Sequence, residues 1–218
     1  MLRLSILVLC TFVGHCLFAQ DAGSTQKSKL RLGLRAGING STTSAGFGSG
    51  NTFKNPSLKL GLLAGVSLQA PLGGDFYLQP ELLYSQEGAL QDGIIGSVTA
   101  ANYVLIFTTK LNFINVPLLL QYNRGKGFYA ETGPQAGFLI SARLRNEFPP
   151  AGTPNKETDI SNTKQVTLNW VGGVGYTFAS GWGGGLRYTA GLSNFYEGVN
   201  KQRVNTLQLH VHYRLGSK

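Results

Sequence analysis

Eight segments of the chain alternate apolar with other residues at a period of two, and one face of each segment has no charge. The segments are residues 29–41, 58–70, 76–87, 111–122, 128–141, 165–178, 182–192 and 205–215. Their apolar faces comprise 45 positions, of which the overall charged fraction of 13% would fill about six. A period of two is that of a β-strand, and none of the segments has the helical period. The pattern predicts an all-β fold in which one surface of the sheet excludes charge.

The connections between these segments alternate strictly between short and long. The short connections are 71–75, 123–127 and 179–181, and the long ones are 42–57, 88–110, 142–164 and 193–204. A barrel that crosses a bilayer has tight periplasmic turns and long extracellular loops, whereas a soluble sandwich has no reason to sort its loops by end. The alternation therefore predicts an eight-stranded antiparallel up-and-down transmembrane β-barrel, with both ends of the barrel on the periplasmic side.

The opposite face of the segments is polar. Its charged residues are Lys29, Arg31, Arg35, Lys59, Glu81, Glu87, Glu131, Arg187 and Arg214. A soluble ligand-binding barrel needs an apolar interior and external charges, so we expect the charged face to line the lumen and the apolar face to contact lipid. Because eight strands leave room only for side chains, we predict a plugged polar interior. Outward aromatic residues near the strand ends predict two interfacial girdles, although any sheet favours such residues.

Three prolines interrupt these segments. Pro80, Pro117 and Pro134 each remove a hydrogen-bond donor, and a closed barrel has no edge at which this loss is harmless. All three lie near a short connection, so we predict β-bulges at these positions in the periplasmic third of the barrel.

The first residues have the pattern of an export signal. An arginine precedes an apolar run from Leu4 to Val13, and a small residue, Ala19, follows. The run is too short for a transmembrane helix, which needs roughly 20 apolar residues. We therefore predict a signal peptide at 1–19, a short polar leader at 20–28 and the barrel domain at 29–218, with an uncleaved anchor as the alternative. Both cysteines lie inside the predicted signal peptide, so disulfide and thiolate chemistry are not expected.

The net charge of +9 does not indicate nucleic-acid binding, because the lysines and arginines are scattered along the chain and form no basic run. Export combined with a lipid-facing sheet instead predicts location in the outer membrane of a Gram-negative envelope.

Five segments also have a recognisable order. They are LGLRAGING at 32–40, QPELLYSQEG at 79–88, INVPLLLQY at 114–122, FYAETGPQAGFL at 128–139 and LRYTAGLSN at 186–194. Together they resemble the PorT-like outer-membrane β-barrel family of Bacteroidetes. The resemblance implies an eight-stranded barrel in the outer membrane. It implies less about function, because the namesake is tied to protein secretion while most members similar to this chain have no assigned role.

Four charged residues of the polar face form a candidate site. Glu81 and Glu131 share a middle layer with Arg35 and Arg187, and at this diameter we expect them to meet across the lumen as a structural ion-pair network. Paired carboxylates also occur in catalytic sites, but a filled interior offers a substrate no entry. We therefore predict no catalytic residue, no cofactor and no enzyme activity.

Two histidines on one strand are a candidate metal site. His210 and His212 are two residues apart and face the lumen together with Gln208. No third strong ligand has matching spacing, so hydrogen bonding is the preferred interpretation and no metal is predicted.

The long loops contain an excess of cations. The basic residues are Arg143, Arg145, Lys156, Lys164, Lys201 and Arg203, and the acidic residues that offset them are Glu147, Glu157, Asp159 and Glu197. Charge complementarity predicts the phosphates of outer-leaflet lipopolysaccharide as a partner. A solvated loop surface without a partner is the alternative.

These observations predict a structural or surface-binding outer-membrane barrel that is neither an enzyme nor an open pore. One alternative is an accessory of a secretion or envelope-assembly machine, with a protein partner. A second alternative is a lipid-modifying barrel enzyme.

Overall fold

The structure is a computed structural model that describes residues 30–44, 56–95, 103–125, 127–147, 156–160, 163–195 and 202–215. The predicted signal peptide and leader lie outside these residues. None of the described residues belongs to a helix long and apolar enough to span a membrane.

The described residues form nine strands. They are β1 Arg31–Thr43, β2 Lys59–Gly73, β3 Phe76–Ile95, β4 Tyr103–Arg124, β5 Phe128–Glu147, β6 Lys156–Asp159, β7 Val166–Thr177, β8 Trp182–Gly191 and β9 Val204–Arg214. Each strand pairs antiparallel with its neighbour, and β1 pairs with β9 to close the ring. Eight strands make the wall of the barrel, while β6 pairs with β5 beyond the start of β7 and extends the wall there. The predicted eight-stranded up-and-down barrel is confirmed.

The two faces of the wall have the predicted orientation. Three leucines of the uncharged face are between 46% and 60% exposed: Leu62, Leu118 and Leu209. Three ionic residues of the opposite face are at most 5% exposed: Arg35, Glu81 and Arg187. In an aqueous protein this would be inverted, but a bilayer solvates the apolar face and excludes charge from it.

The lumen is filled by side chains, and at some positions there is no room even for a Cβ atom. Gly37 on β1 shows the constraint, because a Cβ atom there would overlap the Leu209 carbonyl oxygen and lie 2.8 Å from the Cα of His210. Two narrow cavities of the described interior have volumes of only about 10 Å³ each, which is room for about one water molecule apiece. The interior is therefore plugged by side chains.

The long connections differ from prediction. Residues 88–110 and 142–164 were expected to be loops, but β3 continues to Ile95, β4 begins at Tyr103, and β5 continues to Glu147. The strand Lys156–Asp159 also lies inside the second of these segments. Only the part of a strand that contacts lipid needs an uncharged outer face. The sequence pattern therefore ends at the edge of the bilayer and does not reveal the part of a strand that continues beyond it.

The prolines do not mark bulges, so that prediction is wrong. Pro80 lies opposite Leu118 and Pro117 opposite Gln135, each in the same register as the nearest paired residues on both sides. Pro134 lies in an unbroken ladder opposite Trp170. Each proline removes a backbone hydrogen-bond donor, but the paired residues on both sides of it keep the same register.

The register shifts elsewhere. One shift lies between Pro71 and Gly73, beside the first short turn, and another lies between Asn112 and Phe113, opposite one extra residue of β5.

Candidate functional site

The centre of the lumen contains Arg187, whose guanidinium bridges two carboxylates. Its Nη1 donates to Glu81 Oε2 at 2.8 Å, and its Nε and Nη2 donate to Glu131 Oε1 at 2.9 and 2.6 Å. All three side chains have no solvent exposure. Because β3, β5 and β8 each point alternate residues inward, the three residues meet from different sides of the barrel.

Arg35 on β1 completes the network. Its Nη2 lies 3.0 Å from Glu81 Oε1, and its Nη1 lies 3.7 Å from Glu131 Oε1. Nη1 also donates to His210 Nε2 at 3.0 Å, and the Tyr129 hydroxyl lies 3.2 Å from the same nitrogen. A guanidinium can only donate, so His210 Nε2 accepts and its ring proton is on Nδ1. The structure thus brings together all four residues of the predicted ion-pair network.

Polar layers lie on both sides of this network. Toward the short turns, Gln69 donates to Gln121, and the Thr177 hydroxyl lies 3.0 Å from His212 Nε2. Each histidine ring is thus hydrogen-bonded to protein groups, and the described residues contain no group of three or more histidine, cysteine or acidic side chains placed to hold a metal.

Toward the long loops, a buried carboxylate is also hydrogen-bonded. Asn115 Nδ2 donates to Glu87 Oε1 at 2.9 Å, and Asn39 Nδ2 donates to the Ser85 hydroxyl at 2.9 Å.

The lumen is sealed on the extracellular side by an apolar cap that the sequence analysis missed. Phe195 has no solvent exposure and packs with Leu111, Phe113 and Val204. Two backbone hydrogen bonds hold it, from Lys164 N to Phe195 O and from Phe195 N to Gln202 O. The available signal was Leu111 and Phe113, two adjacent apolar residues of the inward face at the extracellular end of a segment whose inward face also contains Asn115 and Gln121.

The extracellular end of the wall contains an outward-facing charged cluster. Lys110 Nζ lies 3.1 Å from Glu157 Oε1, and Arg143 lies 3.9 Å from Glu157 Oε2 and 3.4 Å from Asp159 Oδ1. The hydrogen bond from Lys110 lowers the pKa of the Glu157 carboxyl below its ordinary value. The strands β4, β5 and β6 align these residues because Lys110 pairs with Arg143, and Arg143 pairs with Asp159.

A notch opens in the wall beside this cluster. It has a volume of about 390 Å³ and lies where β6 and β7 are separated, next to the extra residue of β5. Ile140, which is 59% exposed, and Ile160 line it together with Arg143 and Asp159. The notch thus joins the lipid-facing surface to the charged cluster.

Outside β6, the charged residues predicted to lie in the long loops are found in three places. Arg143 and Arg145 lie in β5 rather than in a loop, and Lys164 and Arg203 lie in connections at the extracellular end. Two of the predicted charges, Lys201 and Glu197, fall outside the described residues.

Comparison with known proteins agrees with this architecture. The family model described as outer membrane protein beta-barrel domain matches residues 18–197. No curated protein matches the chain.

The chain is similar to several solved structures. Ail, the attachment invasion locus protein of Yersinia pestis, crystallised with the heparin analogue sucrose octasulfate, is 11% identical, with coverage of 86% of this chain and 99% of that chain and a TM-score of 0.47. Neisserial surface protein A is 12% identical, with coverage of 84% and 96% and a TM-score of 0.40. The translocator domain of the autotransporter NalP from Neisseria meningitidis is 14% identical, with coverage of 96% of each chain and a TM-score of 0.33.

The matched region begins before β1 and ends after β8, so the family model covers most of the barrel. The chain therefore belongs to the outer membrane protein β-barrel domain family and is located in the outer membrane.

Proposed function

We propose that the protein is a closed, non-enzymatic surface barrel that binds phosphorylated glycolipid of the outer leaflet at its extracellular end. The observation that carries this proposal is the cluster of Lys110 and Arg143 on the outer face of the wall, directly beside the exposed Ile140. A glycolipid that lies against the wall would place acyl chains on the apolar surface and its phosphates beside these two cations. Lipopolysaccharide has this chemistry.

The acidic residues of β6 do not prevent this binding. Glu157 is itself exposed, and exposed ion pairs contribute only about 0–1 kcal/mol. A phosphate with a charge near −2 forms stronger charge-assisted hydrogen bonds than a single exposed carboxylate. We therefore expect phosphate to displace Glu157 or Asp159 from Arg143 at little cost.

The test is lipid binding to the purified barrel in detergent, measured by native mass spectrometry. We expect the wild-type protein to retain hexa-acyl lipid A with two phosphates at least about tenfold better than the dephosphorylated lipid. The double variant Lys110→Gln, Arg143→Gln should lose this preference. The control is Arg124→Gln, an exposed cation at the opposite end of the barrel. Equal retention of both lipids by the wild-type protein would refute the proposal.

The closed lumen supports the absence of a pore and of enzymatic function. The Arg35–Arg187 network and the Phe195 cap leave no continuous path through the described interior. We expect no steady conductance above baseline when the protein is inserted in planar bilayers, and no change in lipid species when it is incubated with outer-membrane lipids. Either effect would contradict this part of the proposal.

We also propose that the chain is a PorT-like member of its family, on the basis of the five ordered segments. That kinship favours a second function as an accessory of a secretion machine. Loss of secreted cargo on deletion of the gene, with unchanged lipid binding by the purified barrel, would favour the accessory function over the surface-binding one.

A further inference from the structure

The periplasmic end of the barrel also contains a cavity, and its chemistry differs from that of the notch at the extracellular end. It is an open cleft of about 480 Å³ between the short turns, lined among others by Arg31, Arg214, Asp75, Tyr77 and Asn123. This volume is within the range of about 300–1,000 Å³ that small-ligand sites occupy. Glycolipid of the outer leaflet cannot reach this cleft, so it is independent of the extracellular surface.

Two arginines on neighbouring strands form one side of the cleft. Arg31 is on β1 and Arg214 on β9, where Arg214 pairs with Gly33, so both side chains point into the same mouth. Arg214 Nη2 donates to the Thr177 hydroxyl at 2.6 Å, which holds its guanidinium at the wall.

Neither of these arginines forms a salt bridge with a carboxylate of the described residues. Arg35 and Arg187, deeper in the same lumen, both do. The two mouth arginines therefore retain donors for an external anion, and guanidinium groups are suited to bidentate binding of carboxylate or phosphate.

The opposite side of the cleft offers acceptors. The Asn123 side-chain oxygen is buried and has no hydrogen-bond partner in the structure. The turn residue Asp75 lies beside it, and its backbone oxygen accepts from Asn123 N at 2.8 Å. A buried acceptor without a partner costs about 1–3 kcal/mol, so a turn of the Asn123 amide that presents this oxygen to a donor of a ligand in the cleft would be favoured.

We propose that the cleft binds the carboxylate end of a peptide that is presented from the periplasm. The carboxylate would contact Arg31 and Arg214, and a peptide N–H would donate to Asn123. Inorganic phosphate would satisfy the two arginines, but as one compact anion held by them it could not also place a donor at Asn123 on the opposite side of the cleft. The network around Arg187 closes the lumen above, so the peptide docks at the mouth and does not pass through.

The experiment uses the whole barrel, folded in detergent micelles and labelled for amide NMR. The probes are N-acetyl-trialanine with a free carboxylate, the same peptide with a C-terminal amide, and inorganic phosphate. We follow the amides of Gly125 and Gly127, which both line the cleft. The expected result is saturable shifts with the free acid and at least about tenfold weaker binding of the amide and of phosphate.

The variants Arg31→Gln and Arg214→Gln should each weaken binding of the free acid at least about tenfold. The matched control is Arg124→Gln, because Arg124 is in the same turn region but does not line the cleft. Each variant is checked for the folded barrel by its heat-dependent gel mobility.

Four outcomes would overturn the proposal, and three of them concern the peptide acid. They are no saturable shift with the free acid, equal binding of the acid and the amide, and unchanged binding in both arginine variants that retain the folded barrel. Phosphate binding as tight as that of the peptide would show an oxyanion site without selectivity for peptides, and would also overturn it.

Discussion

At the scale of single residues, the barrel is specified by which side chains have partners in the lumen. Arg35 and Arg187 have carboxylates within 3.0 Å, and the side chains of both are at most 3% exposed. Buried ions are costly unless they are paired and hydrogen-bonded. We propose that this network keeps the interior in one arrangement rather than supplying chemistry.

The network makes Arg187 the most sensitive position for stability. Arg187→Gln leaves Glu81 and Glu131 with Arg35 as their single cation, so we expect the free energy of unfolding to fall by about 3–5 kcal/mol. Urea unfolding of the barrel in lipid vesicles, followed by tryptophan fluorescence, measures this change. Arg124→Gln, at an exposed turn, should change the free energy by no more than about 0.5 kcal/mol.

A double variant distinguishes the loss of charge pairing from the loss of side-chain packing at Arg187. Adding Glu81→Gln to Arg187→Gln removes the excess negative charge and leaves Arg35 with one carboxylate, so the double variant should be more stable than Arg187→Gln alone. Equal or lower stability of the double variant would show that the charges are not what Arg187 stabilises.

Gly37 tests whether close strand approach is required. Gly37→Ala introduces a Cβ against the backbone of Leu209 and His210, and overpacking of this kind costs about 1–3 kcal/mol. Gly172→Ala is the control, since nothing lies within 4 Å of a Cβ there. The same unfolding measurement should show a loss for Gly37→Ala and no loss for Gly172→Ala.

At the scale of elements, the wall is taller on one side than on the other. The strands β3, β4 and β5 have 20, 22 and 20 residues, whereas β1, β2, β7, β8 and β9 have 10–15. Among the described residues, only β6 covers the free side of β5 in the taller part, through pairs between Arg143 and Asp159 and between Asn146 and Lys156. Because this junction contains the charged cluster, we expect the attachment of β6 to depend on pH.

The direction of that dependence follows from Glu157. The hydrogen bond from Lys110 gives Glu157 a lower pKa in the folded state than in the unfolded state. Its ion pairs therefore stabilise the attachment of β6 above the ordinary pKa of a glutamate, and this contribution is lost as pH falls through the lowered value.

Carbon-detected NMR titration of the Glu157 carboxyl group measures its pKa directly. In the wild-type protein we expect a midpoint below 4.5, the ordinary value, and in Lys110→Gln a midpoint closer to that value. An identical midpoint in the two proteins would show that Lys110 does not contact Glu157 in solution.

At the scale of the whole molecule, the bilayer decides which face is outside. Ile38, Leu62 and Leu209 lie side by side on three adjacent strands and form part of a continuous apolar belt. Burial in a hydrocarbon layer makes every charge on this belt costly.

Leu209→Arg tests the position of the belt. Leu209 is beside His210, at the depth of the central network, and an arginine near the bilayer midplane costs about 2–4 kcal/mol. Leu72→Arg, close to the first short turn, should cost about 0–1 kcal/mol because it lies near the interface. Unfolding in vesicles compares the two variants, and equal losses would place the belt at a different depth.

The sequence by itself determined the number of strands in the wall, the closed topology and the orientation of the faces. The uncharged face of each segment indicates contact with lipid. The alternation of short and long connections indicates at which end of the barrel each connection lies. It also located the four residues of the central network, because residues of one parity at similar depth must converge in so narrow a barrel.

Only the tertiary structure decided which contacts those residues make and what lies beyond the lipid. The cap at Phe195, the extension by β6 and the cleft between Arg31 and Arg214 all depend on residues that are distant along the chain. The proline prediction was wrong for the same reason, since the neighbours of Pro80 and Pro117 across the sheet, not the prolines themselves, determine the register. The period-two pattern of a segment indicates whether each residue faces lipid or the lumen. The contact partners of a residue and the register of its strand depend on how the whole barrel closes.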